Sequence, residues 1–129
     1  MKDGKELHVI SVLDHLASLQ SAIGESLLRI AQLAACESAH GETEIRRYRH
    51  DIWVSAWIDA HHVDGRDIVY WLDVVWKGPT WHLIHRVSIQ GDRNIWEPDE
   101  IVRTSFEEIA KQAIVAIVEG LGVFEATFR

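Results

Sequence analysis

Histidine and aspartate crowd one short stretch of this chain, where Asp59, His61, His62 and Asp64 follow one another closely. Imidazole and carboxylate together are the donor set of a zinc-type ion. The spacing argues against that chemistry. On a strand, neighbouring side chains point to opposite faces, so His61 and His62 cannot grip one ion. His82 and His85 fall on opposite faces for the same reason, and neither HExxH nor CxxC occurs among the eight histidines and one cysteine. No metal or cofactor site is expected. Cys36 has no nameable base beside it and reads as a packed thiol. Acid–base catalysis would need a pocketed carboxylate with a partner, and Asp59 and Asp73 are the carboxylates inside predicted strands. The chain holds neither a glycine-rich phosphate loop nor a nucleophile elbow. These absences lead to the expectation of a protein without enzymatic activity.

The elements that would position those residues are strands. Residues 51–90 hold five of the six tryptophans and read as three strands joined at Asp64-Gly65 and Gly78-Pro79. Two-residue loops at both places set Trp57 against Leu72, Trp53 against Trp76 and Trp76 against Trp81. Opposed residues share a face. One face then collects Trp53, Ser55, Trp57, Tyr70, Leu72, Val74, Trp76, Trp81, Leu83, His85 and Val87, with Asp59 as its odd polar member. This face must be covered. The other collects Val54, Ile58, Trp71, Asp73, His82, Ile84 and Arg86, with Arg86 directly opposite Trp71. A slip of one residue in either turn would exchange the faces of a strand.

Helices flank the strands. Residues 3–37 read as one long helix with Asp3 as N-cap and Glu6 as its partner. Apolar residues recur at Val9, Val12, Leu16, Leu19, Ile23, Ile30 and Leu33, and Leu13, Leu27, Leu28 and Ala34 widen the stripe. Gly41 reads as a left-handed stop. A helix of that length spans ~50 Å, more than a ten-residue strand at ~33 Å. It therefore either breaks near Gly24 or overhangs onto another subunit. Residues 42–50, with Arg46, Arg47 and Arg49, read as a solvated strand entry, and residues 91–103 as loop with a Gly91-Asp92 turn. Thr104 to Glu107 reads as a capping box. The helix after it is expected to stop at Gly120 and leave 121–129 as an extended tail. The expectation is a single α+β domain over 1–129: long N-terminal helix, three-stranded antiparallel meander, C-terminal helix, in two layers.

A formal net charge of −7 and a sequence pI of 5.5 argue against a nucleic-acid partner and favour a basic one. No apolar run follows an N-terminal basic region and no stretch reaches a membrane span, so a cytoplasmic setting without membrane contact is expected. Tryptophan and arginine dominate binding energy at many interfaces. The second sheet face, with Trp71, Arg86, Asp73, His82, Ile84, Ile58 and Val54, is therefore the expected partner-binding surface.

The run Val74-Val75-Trp76-Lys77-Gly78, a strand, Gly91-Asp92, Trp96-Glu97 and the helix start Thr104-Ser105-Phe106-Glu107-Glu108-Ile109 follow in order. Across residues 66–118 this order and aromatic placement resemble the TriTu family, small immunity proteins of bacterial polymorphic toxin systems. The resemblance implies an acidic, cytoplasmic, non-enzymatic bacterial protein that binds and blocks a cognate toxin. Two other expectations stand beside it. One is a homodimeric chaperone-like or assembly module, self-associating through the open face or the 9–33 stripe. The other is a small-molecule binder or enzyme with a pocket between the helices and the Trp53/Trp57/Trp76/Trp81 face.

Overall fold

A computed structural model describes residues 4–90 and 93–129. The expected cap at Asp3 and turn at Gly91-Asp92 lie outside the described residues, as do the side chains of Glu6 and Val9. The element order is α1 Gly4–Ala31, β1 Cys36–Tyr48, β2 Asp51–His62, β3 Asp67–Trp76, β4 Trp81–Ile89, β5 Arg93–Trp96, β6 Ile101–Arg103 and α2 Phe106–Phe128. The fold is α+β, with two helices on one side of an antiparallel sheet. The sheet has six strands rather than three, in the order β1-β2-β3-β4-β5, with β6 also on β4. β5 and β6 share the outer edge of β4, at Val87–Ile89 and Trp81–Leu83 respectively.

The three additional strands correct the reading of residues 36–48 and 91–103. β1 pairs with β2 along its length, and its inward positions are Ala39, Gly41, Thr43 and Ile45. These are mostly small because α1 crosses there. A Cβ on Gly41 would stand 2.8 Å from Ile23 Cγ2 and 3.0 Å from the Trp57 carbonyl oxygen. Gly41 is thus a point of close approach inside a strand, not a helix stop, and Cys36 opens that strand. α1 ends at Ala31 and runs unbroken through Gly24. Leu19, Ile23 and Ile30 of its stripe are buried, whereas Leu13 and Leu28 are exposed.

The first hairpin also differs from expectation. Gly65 N–H donates to His62 O and His62 N–H to Arg66 O, which makes Val63-Asp64-Gly65 a three-residue loop. Gly65 takes φ +96°, the left-handed position such a loop needs. Asp64 folds back to accept from the backbone and guanidinium of Arg66. The register becomes Ile52 with Trp76, Ala56 with Leu72, and Ile58 with Tyr70. Trp53 and Trp57 therefore leave the helix-covered face, and Val54 and Ile58 join it. The Gly78-Pro79 loop has two residues as expected, with Trp76 opposite Trp81 and Trp71 opposite Arg86.

The helix-covered face is the core. Val54, Ala56, Ile58, Ile68, Tyr70, Leu72, Val74, Leu83 and Val87 pack against Leu19, Ile23 and Ile30 of α1 and Ile109, Ile117, Phe124 and Phe128 of α2. Ser105 caps α2, accepting from Glu108 N–H one residue later than the expected box. The helix passes Gly120 without stopping. A Cβ there would stand 2.2 Å from Tyr70 Cε1, so the glycine admits a tyrosine rather than ending a helix. Leu121, Phe124 and Phe128 continue the inward stripe, which is why 121–128 is helical and not an extended tail.

Candidate functional site: the uncovered sheet face

Among the described residues no helix lies over the other face of the sheet. Alternation brings His40, Glu42, Glu44 and Arg46 of β1 to this face, with Trp53, Ser55, Trp57, Asp59 and His61 of β2. β3 adds Asp67, Trp71, Asp73 and Val75, and β4 adds His82, Ile84 and Arg86. Trp57 and Trp71 are directly opposed and stack at 5.2 Å between ring centroids, 16° from parallel. The guanidinium of Arg46 stands 5.8 Å from the Trp53 ring centroid and 5.9 Å from that of Trp71. A cation over an indole is held by the ring quadrupole.

Arg46 is fixed from both sides. Its Nε lies 2.9 Å from Glu44 Oε1, and its Nη2 donates to Ser55 Oγ at 3.4 Å. Ser55 is wholly buried and donates to Asp73 Oδ1 at 2.6 Å. Its hydroxyl is therefore committed to a carboxylate and is no free nucleophile. The chain Arg46–Ser55–Asp73 satisfies a buried acid and orients the cation over two indoles. Trp53 Nε1 is buried without a hydrogen-bond partner among the described residues. An indole N–H in that state costs free energy that a new acceptor would recover.

A second polar group occupies the far corner of the face. Asp59, His61 and Asp67 present one ligand atom each within 4.8 Å of one another. Asp59 Oδ1 and Asp67 Oδ1 are both buried, and among the described residues no third residue donates a hydrogen bond to either. Burial, then a hydrogen bond with the Asp67 carboxyl and the charge of that carboxyl, push the Asp59 carboxyl up to about 6, against the opposing pull of His61 and His40. Asp64 is not in this group, because the Arg66 backbone amide holds it in the loop and its carboxyl below the usual range.

Of the residues expected to form the binding face, Trp71, Arg86, Asp73, His82 and Ile84 do lie on it. Val54 and Ile58 do not. Both are 0% exposed beneath the helices, because the longer first loop shifts β2 by one residue. The same shift brings Asp59 onto the face of Asp73, although the two were expected on opposite faces. Trp71 and Arg86 are opposed, yet the guanidinium beside the Trp71 ring is that of Arg46. His82 is engaged at both nitrogens, with Nδ1 2.7 Å from Glu100 Oε1 and Nε2 2.8 Å from Thr80 Oγ1. Trp53, Trp57 and Arg46 were missed as face residues. The signal was available: Ser55, Asp59 and His61 made the face first assigned to the core too polar.

Trp53 and Trp57 stand on the side of the sheet away from the helices, so the four tryptophans expected to line one pocket do not share a face. A shallow cleft lies instead between α1 and α2, lined by residues that include Asp14, His15, Phe106 and Lys111. Among the described residues no helix is long and apolar enough to cross a membrane. No protein-family model matches this chain, and no match is found among curated proteins.

Proposed function

We propose that this chain is a non-enzymatic protein-binding domain that docks its partner on the uncovered sheet face. The observation that carries this reading is the cluster of Trp53, Trp57 and Trp71, with Arg46 over two of the indoles, on a face that no helix among the described residues covers. Such residues supply large contact area at little entropic cost, and they concentrate binding energy at interfaces. Asp73 and Ser55 beneath them keep the arginine oriented before a partner arrives, which lowers the cost of association. The net charge of −7 favours a basic partner. An immunity protein that binds and blocks a toxin in the cytoplasm fits these properties and the resemblance noted above.

The test is capture from cells of the protein's own organism, with wild type, Trp57→Ala/Trp71→Ala, and Leu28→Ser on the helix layer. A partner held by the wild type and by Leu28→Ser, but lost with the double variant, is the expected result. That partner, expressed alone, should then arrest growth, and co-expression of the wild type should restore it. Equal capture by all three proteins would refute the docking surface, and a harmless partner would refute the immunity reading.

A second reading, a homodimer, is favoured by apolar residues on the helix layer. Leu28 is 68% exposed, and Val115 and Val118 are each 67% exposed. Light scattering of the wild type and Val115→Glu separates a helix-layer dimer from a monomer.

A further inference from the structure

We propose that Asp59, His61 and Asp67 bind one first-row divalent transition-metal ion of the zinc type at the corner of the uncovered face. Two strands supply the three donors. Asp59 and His61 alternate onto the same face of β2, and Asp67 opens β3 directly opposite His61. Their ligand atoms lie within 4.8 Å of one another. Zinc bonds of ~2.0–2.2 Å require donor atoms closer together than that limit, which side-chain rotation can provide at a strand end beside a loop.

The state of the two carboxylates points to a missing positive charge. Oδ1 of Asp59 and Oδ1 of Asp67 are each shut off from solvent, and among the described residues no third residue donates a hydrogen bond to either, which leaves a proton shared between the two carboxyls as their one bond. The nearest cationic candidate, His61 Nδ1, is 3.5 Å from Asp67 Oδ1, too long for a good hydrogen bond. Two carboxylate oxygens turned inward in one place repel unless a proton or a cation stands between them. A divalent ion satisfies both at once and accepts the imidazole as third ligand. His40, directly across from Asp59 on β1, adds no competing acid, but its Nε2 lies 3.4 Å from Glu42 Oε1.

The donor set also selects the ion. An imidazole nitrogen beside two carboxylates suits zinc and its first-row neighbours, whereas magnesium and calcium prefer all-oxygen sites. Three protein ligands leave at least one coordination position for water or for a group brought by a partner. This site stands independently of protein docking on the same face, because its donors lie at the corner away from Arg46 and Trp53.

Isothermal titration of zinc chloride into the untagged, chelator-treated protein tests it. One equivalent of zinc is expected. Asp59→Asn and His61→Ala should each weaken binding at least tenfold, and His82→Ala, which alters another histidine–carboxylate pair on the face, should leave it unchanged. Magnesium and calcium should bind at least tenfold more weakly than zinc. The His61 side chain is 53% exposed, so His61→Ala keeps the fold, which circular dichroism verifies. Failure to bind zinc would overturn the proposal. So would zinc binding that survives both Asp59→Asn and His61→Ala, which would place the ion on other histidines.

Discussion

The two faces of the sheet solve opposite problems with the same strands. Beneath the helices, Val54, Ala56, Ile58, Ile68, Leu72 and Val74 are completely buried, and the sheet's buried polar pair there, Tyr70 and His85, is joined. Tyr70 Oη and His85 Nδ1 lie 3.1 Å apart, with burial holding the imidazole pKa down and the phenol pKa far up. A neutral imidazole with its proton on Nε2 thus accepts a hydrogen bond from the tyrosine hydroxyl, and no proton moves. The other face keeps Trp53, Trp57 and Trp71 only partly covered, and its buried polar atoms on Trp53, Asp59 and Asp67 find no partner among the described residues beyond the carboxyl pair itself. The lesson is a division of labour: one face is closed by apolar packing and holds the fold together, with unpartnered polar atoms only on the α1 side chains His15 and Ser26 among the described residues, and the other leaves bonding capacity unspent on the sheet itself.

Truncation should separate the faces most sharply. Phe124→Ala removes a fully buried ring from the helix side and should cost about 3–5 kcal/mol in urea unfolding. Trp57→Ala removes a larger ring from the partly covered side and should cost only about 1–2 kcal/mol, since part of its surface and one stacking contact are lost. Equal costs would abolish the contrast.

Acid should act on the two layers with opposite sign. His15 is buried on α1 against Phe106, and burial lowers its pKa to about 4. The unfolded chain takes up a proton near 6.5 that the folded state refuses, so stability present above pH 6.5 is lost as pH falls to 4. His15→Gln should remove about 2–3 kcal/mol of that loss, read as the difference between unfolding at pH 7 and pH 4.

Asp59 should show the reverse at smaller size. Its carboxyl is held up to about 6 against 3.8 unfolded, so the folded state keeps a proton the unfolded chain releases. Stability from this group is present below pH 3.8 and falls as pH rises to 6. Solvent near the site discounts the effect to about 1 kcal/mol. Asp59→Asn should therefore stabilise the protein at pH 7 relative to pH 4. With both groups present, the two slopes oppose each other between pH 4 and pH 6, and each variant should expose the other.

The smallest effect is expected at the surface of the helix layer. Arg29 Nε meets Glu125 Oε1 at 2.7 Å, with the arginine 54% exposed. Arg29→Ala should cost no more than about 0.5–1 kcal/mol in urea unfolding, and less in high salt.

Much of this architecture is legible in the residues. The Gly78-Pro79 loop, the β3–β4 register and the burial of Leu19, Ile23 and Ile30 follow from turn chemistry and periodicity. Because that register is right, Trp71, Asp73, His82, Ile84 and Arg86 fall on the correct face. The Asp64-Gly65 signal is ambiguous, since a glycine in left-handed backbone serves a two-residue or a three-residue loop. Alternation could have decided it: Ile52, Val54, Ala56, Ile58 and Ala60 are uniformly apolar, whereas Ser55, Asp59 and His61 are not. β1 is harder to read, because close contact with α1 demands small residues where a strand usually shows branched ones. Without β1, Arg46 could not be placed over the indoles. The three-donor cluster was hidden because its third member, Asp67, comes from the next strand and not from the histidine-rich run.

The three-residue loop Val63-Asp64-Gly65 bears on which changes of length this gene can survive. Hairpin tips usually absorb insertions and deletions. Here the loop sets the parity of β2, and losing one codon would turn Trp53 and Trp57 inward and push Val54 and Ile58 into water. Drift in length is therefore confined to even steps at this tip, although its three residues are themselves exposed and lie outside the tryptophan cluster they orient.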